Sequence, residues 1–297
     1  MKKLSKILKS FKIEIDESEI NEKISSIISK SLTKEEKTGF IKLAVSIIDL
    51  TTLEGSDTGQ KVIDMSKKAI KPFHELGFPH CAAVCVYPNL IKYAKKTVKG
   101  SKVKVASVAT GFPSGQFPLK LKLADVKFCI EEGANEIDMV ISRGEFLSGN
   151  FDYVFYEIKK VKKVCLNTKK KKPAHLKVIL ETGELGSLEN VWKASILSMS
   201  AGADFIKTST GKISVSATLP VVYVMCEAIK DFYEKTGLKI GIKAAGGIRI
   251  TKDAIEYILL VKEILGEEWL SPKLFRIGAS SLLNDLLKVY KEINSNN

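Results

Sequence analysis

The chain has 297 residues, 45% of them hydrophobic, and a formal net charge of +13. That length suits one α/β barrel of about 250 residues with additions, and no run approaches the roughly 18 uninterrupted apolar residues of a membrane span. The start, MKKLSKILKS, lacks the apolar core and cleavage site of a leader, so a cytoplasmic protein with no membrane partner is expected. Positive charge raises nucleic acid as a partner, but the lysines are interspersed with Asp and Glu, and only Lys169 to Lys172 form a run. The reading is a solvated lysine-rich surface with no nucleic-acid partner. The five cysteines, Cys81, Cys85, Cys129, Cys165 and Cys226, make no CxxC and read as buried thiols in a reducing compartment.

In chain order, residues 1–40 read as a helical extension. Ile20, Ile24, Ile27 and Ile28 recur at helical spacing, and Thr33 with Glu36 forms a capping box for a helix from Lys34. That extension is expected to pack over one end of the following domain, residues 41–297. There, eight short apolar strands alternate with helical patterns: 44–50, 81–86, 103–109, 135–141, 176–182, 203–209, 240–246 and 274–280. Eight strand-helix units imply a closed parallel (β/α)8 TIM barrel. No GxGxxG follows the first strand, which removes a dinucleotide fold. The KKKKP stretch before the fifth strand reads as a loop at the N-terminal face.

Alternation along the strands sorts side chains by face. Asp49 with Ile47 and Thr51, Glu136 with Asp138, Lys177 with Glu181, Lys207 with Phe205 and Ser209, and Lys243 with Gly241 and Ala245 share the inward side, opposite apolar faces suited to helices. Asp49, Asp138, Glu181, Lys207 and Lys243 fall toward the C-terminal strand ends, where barrel active sites are built. Glu136, Lys177 and Arg276 lie nearer the other ends and read as a separate structural ion-pair layer. Two lysines facing one small cavity repel, and with desolvation this frees an amine to attack a carbonyl, with Asp138 moving protons. The residues alone leave open which lysine is the nucleophile.

Three loops then carry phosphate signals: Thr210-Gly211-Lys212, Gly246-Gly247-Ile248-Arg249, and Gly278-Ala279-Ser280-Ser281 opening a helix. Glycine loops after the last strands and a helix N-terminus suit a phosphate cradle. His74, His80 and His175 all precede strands two and five, at the wrong face for a zinc site, so no metal and no cofactor are expected. No GxSxG is present.

The stretches IDLTTL (48–53), AAVCVYPNLI (82–91), GANEIDMVI (133–141), KVILETGEL (177–185), GADFIKTSTGK (202–212), GIKAAGGIR (241–249) and FRIGASSLL (275–283) resemble the deoxyribose-phosphate aldolase family of class I, Schiff-base aldolases, in its longer eukaryote-type form. The resemblance spans about residues 45–290. It implies reversible cleavage of 2-deoxy-D-ribose 5-phosphate, with Lys207 forming the Schiff base, Lys243 lowering its pKa and Asp138 as acid/base partner. It further implies Asp49 and Thr51 supporting Lys243 or the substrate hydroxyls, Cys85 lining the pocket, Thr208 among the substrate-binding residues, and Gly211, Lys212, Gly246, Gly247, Arg249, Gly278, Ser280 and Ser281 around the phosphate. A homo-oligomer, a dimer first, is expected. The chain departs from the family pattern in having Ala244 rather than proline after Lys243, and in ending NSNN with no terminal tyrosine. The rivals are a class I barrel aldolase of another sugar phosphate and a basic nucleic-acid-binding protein.

Overall fold

The computed structural model describes residues 11, 14–73, 76–167 and 173–295; the Lys169–Lys172 run and His74 fall outside them. Eight strands close into one barrel in chain order: β1 Ile48–Thr51, β2 Ala83–Val86, β3 Lys104–Ala109, β4 Glu136–Val140, β5 His175–Ile179, β6 Phe205–Lys207, β7 Gly241–Ala245 and β8 Phe275–Ala279. Neighbours pair in parallel throughout, and β8 returns to β1. The helices are α1 Glu17–Ile28, α2 Lys34–Ile47, α3 Gly59–Ile70, α4 Ile91–Thr97, α5 Leu119–Glu132, α6 Arg143–Leu147, α7 Phe151–Leu166, α8 Leu188–Ser200, α9 Leu219–Thr236, α10 Thr251–Leu265 and α11 Leu282–Ser295.

The capping box at Thr33 forms as expected. Its hydroxyl oxygen accepts from the Glu36 amide at 3.2 Å, and the Glu36 carboxylate accepts from the Thr33 amide at 2.8 Å. One expectation at the start of the chain fails. The run AVSI, residues 44–47, is the last turn of α2 rather than the start of β1: Ile41, Ala44 and Val45 are buried at helical spacing, so Ile47 stays on the helix and does not face the barrel interior. A short apolar run bounded by no turn residue fits either element, and here the capped helix extends through it. α1 packs on α9 and α10, with Ile20, Ile24 and Ile27 buried and Lys30 paired to Glu263 at 2.6 Å. α2 lies against α10, α11 and β8.

Alternation holds through the barrel. Ile48, Leu50, Ile137, Met139, Val178, Ile206 and Ile242 join the main core, shared with the helices. A separate apolar cluster of Leu53, Ala83, Cys85, Ala106 and Val108 fills the inner side of β2 and β3. The charged side chains of β1 and β4–β8 occupy the remaining interior, so one side of the barrel is greasy and the other ionic.

Replacing Ile24 with Ala removes buried methyls from the contact of α1 with α9 and α10 and is expected to lower unfolding free energy by about 2–4 kcal/mol. Urea denaturation checks it; a loss of under about 0.5 kcal/mol, the surface range, would mean α1 contributes no packing.

Candidate active site

Register brings the ionisable groups together. In a parallel sheet, residues at the same height on adjacent strands lie roughly 4.8 Å apart, and same-face side chains touch. Lys207 pairs in register with Lys243 across β6 and β7, Asp138 with Lys177 across β4 and β5, and Lys243 with Arg276 across β7 and β8. Both lysine ammoniums therefore reach one acceptor: Asp138 Oδ2 accepts from Lys207 Nζ at 2.9 Å and from Lys243 Nζ at 2.8 Å. Gly278 makes room for this, because a Cβ there would lie 3.1 Å from Lys243 Cε and 2.9 Å from the Ala245 Cβ.

The ion pairs continue behind these two lysines. Lys243 also donates to Asp49 at 2.6 Å; Lys177 meets Glu136 at 2.5 Å, Asp138 at 3.0 Å and Asp49 at 3.5 Å; Arg276 meets Asp49 at 2.5 Å and Glu136 at 2.9 Å. Glu136, Lys177 and Arg276 are thus no separate layer. Lys177 binds Asp138 directly, so a charge change at the top is felt at the bottom. The reason is register: Lys177 lies level with Asp138 across β4 and β5, and Arg276 level with Lys243 across β7 and β8.

Within this cluster are four cations, Lys177, Lys207, Lys243 and Arg276, against three carboxylates, Asp49, Glu136 and Asp138. One positive charge is in surplus, and the partners decide which group gives it up. Lys207 has one carboxylate partner, Lys243 two and Lys177 three. Burial lowers the Lys207 pKa, Asp138 pulls it back, and the Lys243 charge lowers it again; the balance lies below the ordinary lysine value. Burial would also lower Lys243, but Asp138 and Asp49 together hold it well above that value. Lys177 is likewise raised, by Asp138, Glu136 and Asp49 against burial. Burial alone would raise the Asp138 carboxyl, yet Lys177, Lys207 and Lys243 drive it well below the carboxylate range. Cys85 Sγ sits 4.0 Å from Asp138 Oδ2, and burial pushes its thiol up to about 11.

Lys207 opens onto a cavity of about 530 Å³ at the C-terminal mouth. Of the residues expected at the site, Thr51, Lys207, Gly211, Lys212, Gly246, Gly247, Arg249, Gly278 and Ser280 line it. Asp49, Asp138, Lys243 and Cys85 lie behind Lys207, fully or almost fully buried. Two others are placed elsewhere. The Thr208 hydroxyl donates to the Ala245 carbonyl and accepts from the Ala245 amide, both at 3.0 Å, which fastens β6 to β7. Ser281 is exposed at the start of α11, one residue past the lining Ser280. Gly246, at φ +86°, is where the loops after β6 and β7 close up, since a Cβ would stand 2.4 Å from the Ser216 side chain. A smaller hollow of about 320 Å³ beside Gln116, Glu145 and Tyr153 holds none of these charges.

Sequence reading gave no role to several residues that shape this mouth. Glu181, at φ +56°, accepts from the Thr210 amide at 3.0 Å and the Thr210 hydroxyl at 2.5 Å, with Arg143 beside it at 3.4 Å. Thr210 Oγ1 accepts from the Lys212 amide at 3.0 Å, so a buried carboxylate after β5 sets the loop after β6. Alternation placed Glu181 inward, but its partner is a backbone amide, which no side-chain pattern marks. Thr52, Glu54 and Lys61 also line the cavity, from the loop and helix after β1. Among the described residues, no group of three or more His, Cys, Asp or Glu is placed to hold a metal ion.

A closed (β/α)8 barrel with a desolvated amine at its C-terminal mouth is the layout of a barrel enzyme's active site. Residues 43–288 match the model of the DeoC/LacD family aldolases, and the chain belongs to that family. It is 49% identical over 269 residues to the deoxyribose-phosphate aldolase of Homo sapiens, covering 86% of this chain and 82% of that one. The Mus musculus enzyme of the same name is also 49% identical over 269 residues, with the same coverage. Among solved structures, the deoxyribose phosphate aldolase of Aeropyrum pernix, described as tetrameric, superimposes with a TM-score of 0.65 at 25% identity, covering 94% of this chain and all of that one. The aldolase QR15 does so at 0.68 and 30% identity, covering 86% and 99%.

Arg276→Met strands Asp49 and Glu136 with one cation fewer and is expected to cost about 3–5 kcal/mol of stability. Asp49 and Glu136 both titrate below their ordinary values, burial being outweighed by Lys243, Lys177 and Arg276. Their stabilisation is complete above about pH 4–5, where carboxyls of the unfolded chain ionise, and is lost as pH falls toward the folded values. The acid-unfolding transition of the variant is therefore expected at higher pH than wild type, measured by circular dichroism; coincident transitions would contradict the network.

Proposed function

We propose that the protein reversibly cleaves 2-deoxy-D-ribose 5-phosphate to acetaldehyde and D-glyceraldehyde 3-phosphate through a Schiff base on Lys207. The observation that carries this reading is the shared acceptor: two lysines on one carboxylate oxygen, of which the one facing the cavity has the depressed pKa. The names of relatives 49% identical supply the substrate, and the glycine loops with Lys212, Arg249 and Ser280 supply a cradle for its phosphate.

The neutral Lys207 amine attacks C1 of the open-chain sugar, and the carbonyl oxygen leaves as water to give the iminium. A water held by Asp138 takes the proton of the C3 hydroxyl. The C2–C3 electron pair moves toward the iminium nitrogen, releasing D-glyceraldehyde 3-phosphate and leaving an enamine. The same water returns that proton to C2, and addition of a second water to the resulting iminium releases acetaldehyde and the free amine. Lys243 stays charged because it holds two carboxylates, so it opposes a proton on Lys207. Asp138 is held ionised by its three lysines; its part is to place the water and to keep both amines in one compartment. The substrate is oriented with its phosphate toward the loops after β6, β7 and β8.

We place the protein in the cytoplasm, where its free buried cysteines stay reduced, and as a homo-oligomer, for which the exposed Phe117, Leu121 and Phe128 offer apolar surface.

Retro-aldol turnover of deoxyribose 5-phosphate, followed by coupled reduction of the triose phosphate, is expected at equal rates with and without EDTA. Absence of turnover, with other sugar phosphates cleaved instead, would replace the substrate. Lys243→Leu removes a charge that lowers the Lys207 pKa, so the ascending limb of kcat/KM against pH is expected to move up by about one unit or more, with at least roughly a tenfold loss at pH 7. An unchanged limb would remove Lys243 from this role.

A further inference from the structure

The geometry points to Glu54 as the residue that limits how strongly the cavity favours phosphorylated over unphosphorylated sugar, an inference that rests on the phosphate cradle proposed above. Glu54 follows β1 and Lys212 follows β6, yet Lys212 Nζ donates to Glu54 Oε1 at 2.8 Å, and both line the same cavity. Among the described lining residues Glu54 is the only acid, facing three cations besides Lys207: Lys61, Lys212 and Arg249. An anion that settles on Lys212 meets this carboxylate first.

Both backbones are fixed, so only the side chains can yield. The nearly buried Asp57 carboxylate accepts from the Glu54 amide at 2.9 Å, the Thr52 hydroxyl at 2.8 Å and Lys61 Nζ at 2.6 Å, which pins the Glu54 loop. The Lys212 amide is pinned through Thr210 to Glu181. The Glu54 side chain itself is 62% exposed. An ion pair of that exposure is weak, and a phosphate dianion, with twice the charge and three acceptor oxygens, displaces it. The released carboxylate remains at the rim and repels the bound dianion. An unphosphorylated sugar leaves the pair intact and feels none of this. Glu54 therefore weakens phosphate binding selectively and speeds departure of the phosphorylated product.

The test titrates inorganic phosphate into wild type and Glu54→Gln by calorimetry, and compares kcat/KM for deoxyribose 5-phosphate over deoxyribose in both. The variant is expected to bind phosphate about two- to fivefold more tightly, with the kcat/KM ratio rising by a similar factor. In a Lys212→Gln background the same change should gain less than half as much, because no pair remains to be displaced. Unchanged or weaker phosphate binding by Glu54→Gln overturns the inference, as does an equal gain without Lys212. If the wild type cleaves a different sugar phosphate, the proposed substrate fails while the calorimetry still decides the role of Glu54. No phosphate binding by wild type overturns the cradle and the inference together.

Discussion

The acceptance of two ammonium groups by Asp138 Oδ2 is the interaction on which the rest of the site depends. It sets two amines in one dry compartment, and the unequal supply of carboxylates then separates their behaviour. Lys243 is anchored by Asp49 as well and stays charged; Lys207 has Asp138 alone and sits where the cavity begins. With Lys207 neutral, the interior cluster holds three cations and three carboxylates. Electroneutrality in a low-dielectric interior and the chemistry of a nucleophilic amine point to the same protonation state.

Such a cluster is a poor device for stability. Desolvating each ion costs several kcal/mol, and apolar packing of similar volume often does as well or better. The barrel shows that alternative beside it, in the inner face of β2 and β3 with its alanines, Cys85 and Val108. Four of the strands that carry the ionic side, β1, β6, β7 and β8, end at the cavity, consistent with a cluster kept for reactivity. Its size serves the same end: Lys177, Lys243 and Arg276 between them hold Asp138, Asp49 and Glu136 ionised, leaving Lys207 as the group able to change its charge.

Much of this was legible in the sequence because barrel geometry is periodic. Alternation alone puts Asp49, Asp138, Lys207 and Lys243 in one interior, whereas Glu136, Lys177 and Arg276 read as a separate layer until the register sets Lys177 level with Asp138. What stayed hidden depends on local choices without a period. The strand-like AVSI at residues 44–47 belongs to α2, since a short apolar run fits either element until the capped helix is seen to run through it. Which lysine has the depressed pKa follows from counting carboxylate neighbours in space, which no spacing reveals. Ser280 and Ser281 differ by one step at a helix start, and that step separates cavity from solvent. Thr208 could have been placed from alternation alone, since it follows the inward Lys207. Glu54 lies in an exposed loop, where its meaning comes from Lys212, 158 residues later.

The most direct test is the pH dependence of covalent trapping by acetaldehyde and borohydride, read by peptide mass spectrometry at each buried lysine. A two-carbon addition at Lys207, with a midpoint below that of free lysine and no addition at Lys243 or Lys177, is the expected result. Addition at Lys243, or at Lys207 only above the ordinary lysine pKa, would contradict the unequal sharing of Asp138 as the source of reactivity.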